Sequence, residues 1–190
     1  NVMYGLAKDQ YATGNFDNSR KTVTEALKLN PNHYQLRILS AKLAIESAQL
    51  ELAERELVEA RRIAPRDPEA DYLSGVVYQR WQRPDKALEY YTSACEKNPG
   101  ELAYLLARGE MLVAAGRQEE ALRLLQDKVV YFEHSAIIRD AVGQLLVQFK
   151  RYGEAADMLR TASILATDDP TIQEHLALAL FLAERYNEAI

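Results

Sequence analysis

Apolar residues along this chain recur three and four positions apart, the spacing of one helix face, and the pattern repeats every 34 residues. Stepping by that period from Ser19 lands on Ala53, Ala87, Ala121, Ala155 and Ala189. From Ala7 the same step reaches Ala41, Gly75, Gly109, Gly143 and Ala177. A third series, Ala26, Ala60, Ala94 and Ala162, is interrupted only by Lys128. A small side chain held in a fixed column marks a place where two helices approach too closely for anything larger. A period of about 20–50 residues indicates a stacked array, each unit burying its apolar face against its neighbours, rather than one globular core. The pattern predicts two helices of about 12–14 residues per period with short turns between them. That gives ten helices in five pairs, an eleventh, and a stub from Asn187 to Ile190. Ala53, Ala87, Ala121 and Ala155 are expected at buried helix–helix contacts. Because apolar residues keep helical spacing throughout, strands have no support.

Local signals fix the register. Asp67-Pro68 and Asp169-Pro170 each set an N-cap acid before a proline, whose missing N–H costs nothing in a first turn. Asn98 with Glu101 resembles a capping box. Thr13-Gly14-Asn15 and Ala115-Gly116-Arg117 break the chain between paired helices. The third unit instead turns through Gln82-Arg83-Pro84-Asp85, with the proline entering its second helix. Residues 127–134 are β-branched and aromatic where units one to three close with alanine and proline. We read that stretch as a kink or altered twist between the fourth and fifth units, in preference to a functional aromatic patch.

The columns resemble the tetratricopeptide (TPR) family. The residues that carry this are Gly14-Asn15-Phe16 with Ala26-Leu27 and Leu29-Asn30-Pro31-Asn32, and Ala60 with Ile63-Ala64-Pro65. They continue with Gly75, Tyr78, Ala87, Tyr91 and Ala94, then Gly109, Gly116 and Ala121. Gly143, Tyr152, Ala155 and Ala162 follow, and Tyr186 with Ala189 closes the series. The resemblance implies one all-α, right-handed superhelical solenoid of antiparallel helix pairs over 1–190. Its repeats run about 1–33, 34–67, 68–101, 102–135, 136–169 and a truncated 170–190. Three features depart from the family pattern. Arg37, Asp71 and Arg139 stand where an aromatic is expected in the first helix. Ala48, Gln82 and Lys150 replace the loop glycine. Repeat four loses its closing alanine and proline (Lys128, Glu133), and repeat five its proline (Thr167).

Composition excludes more than it selects. The chain is 48% apolar and 27% charged with a net charge of −5, ordinary for a folded soluble protein. The densest basic group, Arg61, Arg62 and Arg66, sits among Glu54, Glu56, Glu59 and Asp67, which reads as a solvated helix face rather than a nucleic-acid footprint. The single cysteine, Cys95, rules out an internal disulfide and reads as a packed thiol. One cysteine leaves the compartment open, with the cytoplasm favoured over the periplasm. No 18-residue apolar run exists to span a membrane.

His33, His134 and His175 fit no metal spacing and read as exposed or capping residues. There is no nucleophile elbow, dinucleotide fingerprint or phosphate loop. Glu51 with Arg55 and Glu119 with Arg123, four apart, read as surface pairs. No catalytic, metal or cofactor site is expected.

In the TPR family the first helices line a concave groove that holds a peptide or helix of another protein. Carrying that face onto this chain gives three columns. The first is Tyr4, Ile38, Tyr72, Leu106, Asp140 and Glu174; the second is Lys8, Lys42, Val76, Glu110, Gln144 and Leu178. The third is Tyr11, Ile45, Gln79, Val113, Val147 and Phe181. Tyr4, Lys8, Tyr11, Ile38, Lys42, Ile45, Tyr72, Val76 and Gln79 from repeats one to three, with Leu106, Glu110 and Val113 from repeat four, form the candidate peptide groove. The competing reading is that the aliphatics pack between helices and never meet a ligand. A chaperone-type carboxylate clamp is absent, since Tyr4, Lys8, Leu39, Glu69 and Leu73 stand at its stepped positions, and Ile38, Lys42, Leu73, Ala103 and Ala107 one repeat on.

The resemblance therefore implies a protein–protein interaction scaffold without catalysis. The alternatives are a regulatory or targeting region of a multidomain enzyme, for instance a glycosyltransferase or peptidase, or an assembly or secretion factor of a bacterial envelope. The chain starts inside a repeat and stops inside a helix, which reads as a fragment of a longer protein. Uncapped faces around Met3, Leu6, Leu180, Phe181 and Ala189 are expected to self-associate.

Overall fold

A computed structural model describes residues 2–185. Eleven α-helices follow one another among these residues: α1 (Val2–Ala12), α2 (Phe16–Leu29), α3 (Tyr34–Glu46), α4 (Leu50–Ile63), α5 (Glu69–Arg80), α6 (Pro84–Lys97), α7 (Leu102–Ala114), α8 (Gln118–Val129), α9 (Ala136–Gln148), α10 (Tyr152–Leu165) and α11 (Pro170–Leu182). No strand occurs among the described residues. The expected stub and Ala189 lie outside them. The chain forms two compact units, Asn1–Tyr104 and Leu105–Ile190.

Within each unit the helices pair through the predicted columns. Ala53, Ala87, Ala121 and Ala155 are all wholly buried, and so are Ala60, Ala94 and Ala162. Ser19, at the head of the first series, is also buried and donates to the Ala7 carbonyl at 2.8 Å. The second series has a physical complement. A Cβ on Gly75 would lie 2.4 Å from the Tyr91 ring, and one on Gly143 would lie 2.5 Å from Leu159. Tyr91, Leu125 and Leu159 are themselves one period apart, so the small column of each first helix receives the large column of the second. Val23 and Leu57 continue that large column and share cores with Ala7 and Ala41. Ala177 departs from its series: it is exposed, and no second helix of its repeat lies among the described residues.

The turns keep one geometry whatever residue occupies them. Gly14 and Gly116 have φ of +76° and +74°, and Ala48, Gln82 and Lys150 take +55°, +56° and +58° in the same place. Each is followed by an N–H that reaches back to a carbonyl five residues earlier: Asn15 to Gln10, Gln49 to Ala44, Arg83 to Tyr78, Arg117 to Leu112 and Arg151 to Leu146, at 2.8–2.9 Å. This is the helix-ending bond that a left-handed residue permits. Where glycine is missing, an exposed L-residue takes a conformation it disfavours.

Helix starts agree in part with the sequence signals. Asp169 caps α11 by accepting from Thr171 and Ile172 N–H, and Pro84 opens α6. Asp67 accepts from Glu69 N–H at 2.9 Å, but α5 begins one residue later than expected, with Pro68 at the N-cap. The capping box at Asn98 does not form. α7 starts at Leu102, and Glu101 instead accepts from Ala103 N–H at 3.5 Å.

After α8 the chain tightens into a 3-10 turn, Val130–Phe132. The second helices of repeats one, two, three and five end alike, with Asn30, Ala64, Asn98 and Ala166 N–H each bonded four residues back. Repeat four is the exception that its sequence predicted. Arg139 ties the turn to α9, donating to the Phe132 and Ser135 carbonyls at 3.1 Å each.

The charged residues in the aromatic column are each provided for. Arg37 pairs with Glu56 at 2.6 Å and donates to the Pro31 carbonyl. Asp71, 3% exposed, meets Lys97 at 2.5 Å and accepts from the Ser93 hydroxyl. Arg139 uses the two carbonyls above. Arg61, read from sequence as part of a solvated face, is not one. Its guanidinium is mostly covered, donates to Ser74 and Glu54, and lies 4.8 Å from the Tyr90 ring. Arg62 stays outside, paired with Glu59 at 2.9 Å.

Candidate functional site

The first-helix face divides into what each unit offers. In Asn1–Tyr104, two expected groove residues are removed from it. Ile38 and Ile45 are 4% and 5% exposed, because their side of α3 packs into a core with Ala53, Leu57, Leu73 and Val77. They support the face without presenting to it. Tyr4, Tyr11, Tyr72 and Val76 are half-buried, and Lys8 and Gln79 are exposed. Tyr4 leans on His33 (5.7 Å between ring centres) and Tyr11 on Phe16 (5.5 Å). His33 has the capping role expected of it, its Nδ1 accepting from Leu36 N–H. Lys42 pairs with Glu69 at 2.7 Å.

The structure adds an aromatic cluster that column arithmetic missed. Tyr72 stacks tilted on Tyr104 at 4.8 Å and on Tyr91 at 5.6 Å. Tyr91 is buried and donates to Gln79 Oε1 at 2.6 Å. Burial first, and then the carboxylates of Glu69, Glu101 and Asp67, push the Tyr104 phenol up to about 12. Burial together with Asp67 raises Tyr34 in the same direction. Both phenols therefore stay neutral at physiological pH. Tyr72 and Tyr104 are 32 residues apart, so a strict 34-residue step passes over the pair. The excess of tyrosine was the available signal.

In Leu105–Ile190 the expected residues converge on a cleft of about 380 Å³ between α7 and α9. Leu106, Glu110 and Val113 line one wall, and Ile137, Asp140 and Gln144 line the other. Gly109 and Leu125 form part of the floor, where the absence of a side chain lets α8 come close. Ile137, which the columns did not include, is 61% exposed. Asp140 is held in place: Gln144 Nε2 donates to one oxygen and His175 Nδ1 meets the other, both at 2.7 Å. Of the outer residues, Glu174, Leu178 and Phe181 are exposed and Val147 is half-buried.

Other expectations resolve individually. Glu119 and Arg123 pair at 3.3 Å, whereas Glu51 and Arg55 are exposed and do not meet. Cys95 is partly buried and His134 exposed. Leu6 and Phe181 are 52% and 61% exposed, but Leu180, expected on a sticky end, is buried with Ile172 and Ala179 on the inner side of α11. Among the described residues no three side chains are placed to hold a metal ion. No described helix is long and apolar enough to cross a membrane.

Known proteins share this arrangement. Curated relatives include the E3 SUMO-protein ligase RanBP2 of human and of Pan troglodytes, each 23% identical over 158 residues. The match covers 79% of this chain and spans only 5% of those proteins. Among solved structures, PilF of Pseudomonas aeruginosa superposes with a TM-score of 0.84 at 13% identity, covering 99% of this chain and 86% of PilF. A tetratricopeptide repeat protein of Parabacteroides merdae gives 0.80 at 17%, covering 99% and 75%. YrrB, described as a TPR protein with an unusual peptide-binding site, gives 0.70 at 18%, covering 96% and 90%. Tetratricopeptide-repeat family models match residues 10–75 and 72–132. With the small-on-large helix columns and the conserved turn geometry between helices, they show that this chain belongs to the tetratricopeptide repeat family.

Proposed function

We propose that the chain is a non-catalytic scaffold that holds a peptide or helix of a partner protein against its first-helix faces. The observation carrying this reading is the α7–α9 cleft. Five positions chosen for lying on the first-helix face (Leu106, Glu110, Val113, Asp140 and Gln144) line one concavity there. Apolar walls with a few polar groups are what a recognition pocket for a side chain requires. Tyr4, Lys8, Tyr11, Tyr72, Val76 and Gln79 form the corresponding face of the first unit, where half-buried tyrosines suit contact residues.

A second reading is favoured by the match to 5% of RanBP2, a protein named as an E3 ligase. In it, the array is an interaction region of a larger protein, and any chemistry belongs elsewhere. Self-association through Leu6 or Phe181 remains a separate expectation, which sedimentation at increasing concentration measures.

Selection of a phage-displayed peptide library on the chain tests the scaffold reading. Val113→Ser and Ile137→Ser should weaken recovered peptides about fivefold or more, while Glu119→Ala on α8 should not. Equal weakening by Glu119→Ala in folded protein, or recovery of no peptide, overturns it.

A further inference from the structure

We infer that the α7–α9 cleft takes an apolar side chain from a partner segment whose neighbouring residues are lysine or arginine. This rests on the scaffold reading above and specifies its occupant. The apolar half follows from Leu106, Val113 and Ile137. An isoleucine 61% exposed on the wall of a cleft keeps apolar area in water that an inserted side chain would cover.

The basic half follows from an uncompensated charge. Glu110 on the cleft wall is exposed and makes no ion pair or hydrogen bond among the described residues. Glu174, one period beyond Asp140 on α11, is exposed and equally unpaired. Asp140 stands between them with Gln144 and His175 as its partners.

The first helices of this unit carry few cations. Arg108 and Arg139 are the only Lys or Arg residues on α7, α9 and α11. Arg139 is 9% exposed and bonded to two carbonyls. Arg108 is half-buried, with its Nε covered. The unit as a whole has 9 Lys and Arg against 13 Asp and Glu. Carboxylates beside an apolar slot draw a segment of opposite charge and repel an acidic one, an effect that salt screens.

The test uses the same phage-displayed library on the whole chain. Peptides selected on the parent should carry an apolar anchor with Lys or Arg within about four residues, and should bind more weakly as salt rises. The Glu110→Lys/Glu174→Lys double variant changes two exposed positions, and its fold is checked by circular dichroism. It should weaken those peptides about tenfold and, in a fresh selection, enrich acidic flanks instead. Glu110→Gln/Glu174→Gln should weaken them less and enrich neither. Peptides lost on Ile137→Ser but without basic flanks, or indifferent to charge reversal, overturn this inference and leave the scaffold reading standing. Peptides indifferent to Ile137→Ser and Val113→Ser overturn both.

Discussion

The same helix columns are filled by different chemistry in the two units. Asn1–Tyr104 holds eight of the eleven tyrosines and the one tryptophan. Against the small column at Gly75 it sets the Tyr91 ring, pinned by Gln79. Leu105–Ile190 sets Leu125 and Leu159 against Gly109 and Gly143. In the aromatic column the first unit buries Asp71 with a lysine, and the second buries Arg139 with carbonyls. On the first-helix face, Lys42 of the first unit is neutralised by Glu69, while Glu110 of the second faces solvent alone. One backbone repeat thus tolerates two solutions, because each position need only match its immediate neighbour in size and charge.

Four sets of measurements would break or sharpen that contrast. Lys97→Met leaves Asp71 buried with only Ser93 beside it, and should cost about 3 kcal/mol. Arg139 has no ionised partner, so Arg139→Met in the second unit should cost less, and denaturant melts compare the two directly. Next, Ala87→Leu should overpack the α5–α6 pair by about 1–3 kcal/mol. A melt equal to the parent would mean that α5 and α6 can separate to admit the larger side chain.

Third, Gln82→Gly and Lys150→Gly should each stabilise by about 0.5–1 kcal/mol, one in each unit. Unchanged melting temperatures would show that the turns relax when the fold is free to choose. Gly116→Ala should move stability the other way.

The smallest effect is in pH. Burial and neighbouring carboxylates raise Tyr104, so above pH 10 the unfolded chain gives up its phenol proton while the folded chain keeps it. Stability contributed by this residue is therefore whole below about pH 10 and falls as pH climbs towards 12. Tyr34, Tyr78, Tyr90 and Tyr11 are raised too, in each case chiefly by burial, and all lie in the first unit. Near-ultraviolet signals from that unit should fade first in alkaline titration, and Tyr104→Phe should reduce the slope.

Sequence alone determined the repeat, the small columns, the position of nearly every turn and the irregular close of repeat four. These follow from side-chain size and backbone preference, which act within about one helix turn and are written in the local residues. Even the non-glycine turns kept their register, since Ala48, Gln82 and Lys150 hold the same left-handed place as Gly14 and Gly116. Tertiary structure decided what a residue does once it gets there. Ile38 and Ile45 share columns with Tyr72 and Val113, yet they are buried where those are half-exposed. How deeply a helix face sinks depends on the neighbouring helices, which a single column does not encode. Arg61, Asp71 and Arg139 looked like surface charge or pattern defects until partners 7 to 26 positions away came within bonding distance. Tyr72 meets Tyr104 at a spacing of 32, because side chains reach along the helix as well as across it. Burial and charge pairing are properties of several helices at once, and only their packing fixes them.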